Sequence, residues 1–235
     1  MLIRSKFLLL ALLGLAGAVQ ATEECATAVQ CNQVGSAAYQ DGRFKQAIEA
    51  FERQLRRVED GDTAQLELAL NNLILANLRS GQTGMARAWL GVALDNNLSG
   101  SSTRLHLTKV AEALDYQTLA ASPTGRYLRY GGQAVWSELL ISEDSNGGYL
   151  ARFSPVRAGA RVEEYGPAAI GELDGELAGD EVQMRLQDAG LGNDCAVQLL
   201  REGIELRVQE VFAEGCQDYG GMGISVGGRY IKVSP

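Results

Sequence analysis

Between Ala121 and Gly125, in the stretch ASPTG, the spacing of apolar residues changes from three-and-four to two. Upstream, from Cys25 to about Ala121, no proline occurs and Ala, Leu, Gln and Glu are frequent, as helices favour. Downstream, short runs alternate apolar and polar residues between clusters of Gly and Asp, the pattern of half-buried strands. Pro123 itself blocks helix continuation. A chain that switches period once is expected to be α+β in two domains: a helical domain at 22–121 and an antiparallel β-barrel or sandwich at 125–235, with a hinge at 120–124.

The first 21 residues stand apart from both halves. Arg4 and Lys6 open a positive segment, Phe7 to Leu15 form an apolar run broken only by Gly14, and Val19-Gln20-Ala21 offers small residues that a signal peptidase reads. The run is short for a membrane span. Residues 1–21 are therefore expected to be a cleaved signal peptide, which places the protein in the periplasm or outside the cell. No Cys follows a Leu-x-x pattern, so neither a lipid anchor nor stable membrane insertion is expected. Losing Arg4 and Lys6 takes the formal net charge from −8 to −10. That acidity argues against nucleic acid and anionic membrane surfaces as partners.

All four cysteines lie beyond residue 21, as an oxidising compartment permits. Four cysteines allow three pairings; the local one, Cys25/Cys31 and Cys195/Cys216, keeps each bridge inside one domain and is expected. The first bridge requires the helix to begin after Cys25, because six residues apart on a continuous helix the two side chains point apart. Neither spacing is C-x-x-C and His106 is the only histidine, so no zinc, other metal or cofactor is expected.

In QVGSAAYQDGRFKQAIEAFERQL two apolar stripes meet at Asp41-Gly42: Val34, Ala38 and Tyr39 before it, then Phe44, Ala47, Ile48 and Phe51. Gly42 suits a helix end because glycine takes a positive φ without steric cost. The pattern recurs in LNNLILANLRSGQTGMARAWLGVAL, where Leu73, Gly81, Ala86 and Leu90 stand 39 residues beyond Val34, Gly42, Ala47 and Phe51. These residues resemble the tetratricopeptide (TPR) repeat: Gly42, Ala47 and Phe51 match its G-x-x-x-x-A-x-x-x-F spacing, and Gly81, Ala86 and Leu90 match it with Leu for the aromatic. The family period is 34, so about five extra residues fall in the loop EDGDTAQ, and the family's Trp and closing Pro are missing. A third helix, SSTRLHLTKVAEALDY, is expected to turn Leu105, Leu107, Val110 and Leu114 toward a partner, with Ser101 or Ser102 as N-cap and His106 at the surface. It reads as the terminal cap of the stack.

The resemblance implies peptide binding on the concave face lined by the first helix of each pair. Carried over residue by residue, that face is Asn32, Ser36 and Gln40 in the first repeat and Asn71, Leu75 and Arg79 in the second, with Asn72 beside it. Asn amides suit the role because they both donate to and accept from an extended backbone. The Lys/Arg set with which some TPR proteins clamp a terminal carboxylate is mostly absent.

In the second half strands are expected at 126–131, 135–143, 148–156, 161–165, 168–176, 181–187, 195–201, 204–211 and 223–233. Asn146-Gly147 and Glu202-Gly203 mark tight hairpins. GRYLRY at 125–130 and GRYIKV at 228–233 write nearly the same strand at both ends of this half. Alternation puts Tyr127 and Arg129 on one face and Arg126, Leu128 and Tyr130 on the other, with Tyr230 and Lys232 against Arg229, Ile231 and Val233. Two such end strands can pair and close a barrel, which removes exposed edges; Tyr127 and Tyr230 are also candidates for a shared binding surface. The segment from Cys195 onward resembles small disulfide-bonded exported bacterial β-domains such as the barrel inhibitors of lysozyme. Those carry a Ser-Gly-x-x-Tyr loop, whereas the nearest stretch here, Val226-Gly227-Gly228-Arg229-Tyr230, lacks the Ser.

Catalytic patterns are missing from the sequence. There is no G-x-S-x-G, GGMGISVGG has no P-loop Lys, and the pairs Glu143/Asp144 and Glu163/Glu164 fall near turns where solvated charge is ordinary. The expectation is a non-catalytic periplasmic binding or scaffold protein, recognising a protein, peptide or envelope component through the helical groove, the β-domain or both. The alternative is an inhibitor of a cell-wall hydrolase acting through the β-domain.

Overall fold

A computed structural model of the chain describes residues 24–187, 196–211 and 219–235. The proposed signal peptide, and Cys195 and Cys216 with their expected bridge, lie outside the described residues. Thr27 starts α1 (Ala28–Gln40) with a capping box: its Oγ1 accepts from Gln30 N at 3.2 Å while Gln30 Oε1 accepts from Thr27 N at 3.2 Å. The helix thus begins after Cys25, as a local bridge requires, and Cys25 and Cys31 are disulfide-bonded.

At Gly42, φ is +73°, and the chain turns into α2 (Phe44–Arg56). Gly42 N donates to Tyr39 O and Arg43 N to Ala38 O, closing off the end of α1. The same turn recurs at Gly81, φ +77°, between α3 (Thr63–Arg79) and α4 (Thr83–Asp95), with Gly81 N to Leu78 O and Gln82 N to Asn77 O. The 39-residue recurrence is therefore a recurrence of one helix–glycine turn–helix unit. Phe51, Leu70, Leu73, Ile74 and Leu90 form its core with Trp89. α5 (Ser101–Ala113) follows, and α6 (Tyr116–Ala120) stops after five residues, short of Pro123.

Two expectations for α5 fail. Its N-cap is Gly100, with no capping side chain on the helix itself. Glu67 on α3 substitutes, its Oε1 accepting from Gly100 N at 2.7 Å and from Thr103 Oγ1 at 2.6 Å. The inward stripe is Thr103, His106 and Val110, all buried, while Leu105 and Leu107 are exposed. Polar partners on α3 decide this register; hydrophobicity alone would have chosen the leucines.

The chain then runs through β1 (Gly125–Tyr130), β2 (Trp136–Glu143) and β3 (Tyr149–Ser154). An excursion follows: β4 (Val156–Arg157), the single-turn α7 (Val162–Tyr165) and β5 (Ala169–Ile170). The chain returns as β6 (Leu173–Gly179), β7 (Gln183–Gln187), β8 (Ala196–Glu202), β9 (Glu205–Val211) and β10 (Gly228–Ser234). Eight strands close in the order β1-β10-β9-β8-β7-β6-β3-β2, and each neighbouring pair is antiparallel. The repeated end strands do close the barrel, with Leu128 opposite Ile231 and Tyr127 opposite Lys232. Both expected hairpins form, at Gly147 (φ +80°) and Gly203 (φ +64°). The strand expected at 161–165 is instead α7, and that at 168–176 splits, because β4 and β5 pair only with each other as a flap beside the barrel. The strand expected from 223 begins at Gly228.

The predicted alternation of β1 and β10 holds, and the structure gives each face its use. Tyr127, Tyr230 and Lys232 point inward and are fully buried. The outward face lies under α4. Trp89 packs edge-on against Trp136 at 4.8 Å and Tyr130 at 5.7 Å. A Cβ on Gly84 would fall 1.9 Å from Val233 O, and one on Gly91 2.6 Å from Ile231 Cδ1, so α4 approaches β10 as only glycine permits. The joint at 120–124 is tied down: Lys232 Nζ donates to Leu119 O and Ser122 O at 2.8 Å each, Tyr127 Oη to Pro123 O at 2.8 Å, and Arg201 to Ala120 O.

Candidate functional site

The residues singled out on the helical face go to three places. Asn72 Nδ2 donates to Asn32 Oδ1 at 2.7 Å and to Gln54 Oε1 at 3.2 Å, clasping α3 to α1 and α2. Asn71 faces the other way and is buried against α5, where its Nδ2 donates to Thr103 Oγ1 at 3.2 Å. Its Oδ1 lies 2.8 Å from His106 Nδ1. An amide oxygen only accepts, so Nδ1 carries the proton in this pair. Burial, aided by Lys109, holds the imidazole below its usual pKa. The surface position expected for His106 and the concave-face position expected for Asn71 are thus both interior, because each completes the other's hydrogen bonding. Ser36 is half-buried, and Arg79 is exposed at the end of α3.

Tyr127 and Tyr230 are not brought near the asparagines, and neither reaches solvent. Tyr127 faces Lys232 Nζ at 5.6 Å from its ring centre, and Tyr230 meets Phe153 edge-on at 6.0 Å and Arg129 at 5.6 Å. Burial pushes both phenols up to about 12, so they stay neutral inside the barrel. In this structure they are core.

The largest concavity among those described, about 1190 Å³, lies on the face of α1 opposite Asn32 and Ser36. Gln33 and Ala37 on α1, Glu49, Glu52 and Arg53 on α2, and Glu163 of the barrel flap line it. Among the described residues no helix covers this face. Glu163, expected to be solvated, is gripped: Arg57 Nη1 and Nη2 donate to its Oε1 and Oε2 at 3.1 and 2.9 Å, and Arg56 Nη1 to Oε1 at 3.2 Å. Burial works against the charge of Glu163, but the hydrogen bonds and charges of Arg57 and Arg56 outweigh it and keep the carboxyl below its usual pKa. Glu52 goes the other way: burial lifts it to about 7 despite Arg56. Sequence reasoning missed this groove, although the dense charge of EAFERQLRR, two acids followed by three bases, is its signal.

Two further surfaces were not foreseen. One is an apolar groove of about 290 Å³ between α4, α5, α6 and the barrel edge. The other is a knob: Met222 is 90 % exposed, with Ile170 at 67 % and Tyr165 at 71 % on the flap. Gly221 N donates to Ile170 O at 3.1 Å, Ile224 N to Gly221 O at 3.0 Å and Arg157 Nε to Met222 O at 3.2 Å, so the apex of the knob is held rather than loose.

No protein-family model matches this chain, and no curated protein or solved structure matches it either. Among the described residues no helix is long and apolar enough to cross a membrane.

Proposed function

We propose that the protein is a non-catalytic binding protein of the cell envelope that holds a peptide segment of a protein partner along the open face of its first helical pair. The observation that carries this reading is the groove of about 1190 Å³ between α1, α2 and Glu163. Along α2 its wall passes from acid at Glu49 and Glu52 to base at Arg53, Arg56 and Arg57, and Gln33 adds an amide, so it offers both donors and acceptors to an extended backbone. The concave-face amides Asn32 and Asn72 are spent on each other, which moves the binding face to the opposite side of α1. The TPR-like spacing of Gly42, Ala47 and Phe51 supports a peptide-holding stack, and the leader pattern of residues 1–21 with the Cys25–Cys31 bridge supports an oxidising compartment. The test is selection of displayed random peptides on the full chain, followed by anisotropy titration. Gln33→Trp, at an exposed position, should fill the groove and weaken selected peptides roughly tenfold or more. Peptides that bind equally well to Gln33→Trp and to Glu49→Lys would remove the groove from consideration.

A second reading, inhibition of a cell-wall hydrolase through the β-domain, draws on the knob. An apolar side chain held at 90 % exposure on a pinned turn is shaped to enter a partner's cleft. Under that reading the protein slows cell-wall lysis by a lysozyme and Met222→Asp abolishes the effect. Lysis at an unchanged rate in the presence of excess protein rules it out.

A further inference from the structure

The charges along the groove of α1 and α2 constrain what it holds more closely than its volume does, once that groove is read as a peptide site. The carboxylates of Glu24, Glu49, Glu52 and Glu163 line it, against the guanidinium groups of Arg53, Arg56 and Arg57. The cations are not shared evenly among the acids. Arg57 donates to both oxygens of Glu163 and to Arg53 O. Arg56 donates to Glu163 through Nη1 and to Gln133 O through Nε at 2.9 Å. Both groups are thereby anchored on the barrel side of the groove.

Glu52 is left behind by this arrangement. Its ion pair with Arg56 Nη2 is stretched to 3.8 Å, past hydrogen-bond reach, and among the described residues its carboxylate accepts no hydrogen bond. The side chain keeps 27 % of its surface open, so it can be reached from the groove that it lines. Glu49 stands three residues earlier on the same face of α2, half-buried in the same groove. The opposite wall, α1, contains no charged residue. Two neighbouring carboxylates, open to the groove and short of donors, are complementary to one cationic head, and an ammonium has donors enough for both.

We propose that the groove selects a peptide segment bearing a lysine or arginine, whose cationic head donates to Glu52 and Glu49 while the backbone lies against Gln33. The pairing carries a pH signature. Burial raises Glu52 to about 7 against the pull of Arg56, with Glu49 adding to the rise and Arg53 opposing it. The other titratable groups facing it do not change charge in that range. Tyr130 on β1 is neutral, its phenol raised by burial, and Glu163 across the groove stays ionised because Arg57 and Arg56 outweigh its burial. A bound cation favours the ionised form of Glu52, so the complex holds fewer protons than the free protein and affinity rises from about pH 6 to 8.

The probes are three acetylated, amidated heptapeptides of serine with lysine, norleucine or glutamate at the centre. Each is titrated into the isotope-labelled full chain, with binding followed by NMR at the side-chain amides of Gln30 and Gln33. At pH 8 the lysine peptide should bind roughly tenfold tighter than the norleucine peptide, as a charge-assisted hydrogen bond predicts, and the glutamate peptide should bind least. The preference for lysine should shrink severalfold at pH 6. Glu52→Gln should remove most of the preference and its pH dependence while norleucine binding stays the same, and Glu49→Gln should reduce the preference. If Glu52→Gln does not fold, Glu49→Gln and the pH series decide. Norleucine binding as tight as lysine, a lysine affinity that does not change with pH, or an unchanged preference in Glu52→Gln overturns the proposal and leaves the peptide groove standing. If none of the three peptides shifts either amide up to millimolar concentration, the groove and the proposal fall together.

Discussion

Single side chains in this protein are committed to one another in ways that set its response to mutation and pH. Asn71 spends both ends of its amide on α5, donating to Thr103 and accepting from His106. Asn71→Ala leaves a buried imidazole N–H without its acceptor and takes one partner from Thr103, whose hydroxyl keeps Glu67, and should lower stability by about 1–3 kcal/mol in denaturant unfolding, with peptide binding at the groove of α1 and α2 unchanged. Lys232 makes a different statement. Burial brings its ammonium down to about 8, with Arg201 adding to the effect, although two carbonyls and the Tyr127 ring receive it. The unfolded chain holds that proton up to the usual lysine value of about 10.4. Between the two values the unfolded state binds more protons, so the contribution of Lys232 makes stability rise with pH, by at most about 1.4 kcal/mol per pH unit. Tyr127 and Tyr230, raised to about 12, act in the opposite sense above pH 10. Comparing the natural chain with Lys232→Met from pH 8 to 10 isolates the term: the stability of the natural chain relative to the variant should rise with pH in that window, and a constant difference would contradict the shift.

Among elements, α4 is the one on which both halves depend, and its glycines carry opposite lessons from that of the turn before it. In the middle of an exposed helix, glycine to alanine gains about 0.8–1 kcal/mol. Gly84 is helical, yet its Cβ would sit 1.9 Å from Val233 O, a backbone atom that cannot step aside without moving β10. Gly84→Ala should therefore destabilise by about 1–3 kcal/mol, as overpacking does. Gly81→Ala meets nothing within 4 Å, and its cost comes only from φ +77°, about 1–2 kcal/mol. The two are told apart by thermal unfolding combined with Trp fluorescence. Gly84→Ala should disturb the emission of the Trp89/Trp136 cluster in the native state, and Gly81→Ala should not.

At the scale of the molecule, the helical stack and the barrel share a wall. The Trp89, Tyr130 and Trp136 cluster, the Arg87–Glu205 and Arg229–Asp95 pairs, and the grip of Arg56 and Arg57 on Glu163 all cross it. The natural chain should unfold in a single transition reported alike by far-ultraviolet dichroism and Trp fluorescence. Trp89→Ala removes the central ring from a fully buried site, a loss of about 3–5 kcal/mol. It should lower the midpoint and separate the two signals as the halves uncouple. Coincident transitions in Trp89→Ala would show that the wall contributes little to cooperativity.

What the sequence determined by itself is whatever depends on neighbours along the chain. Gly42 and Gly81 end helices because their own φ requires it, and Asn146-Gly147 and Glu202-Gly203 make hairpins for the same local reason. The repeated GRYLRY and GRYIKV closed the barrel because alternation assigns a face to each residue before any partner is known. The tertiary structure decided what depends on distant partners. α5 turned Thr103 and His106 inward, rather than Leu105 and Leu107, because Glu67 and Asn71 stood ready to bond them. Residues 161–165 wound into a helical turn whose Glu163 meets two arginines more than a hundred positions earlier. Asn71 and Asn72, adjacent in the chain, were sent to opposite neighbours because successive residues on a helix point about 100° apart. The open grooves are likewise where packing among the described residues ended, beside the uncovered face of α1 and beside α5 with no full helix after it. No local pattern records where packing ends, because the free energy of covering a face belongs to the element that covers it.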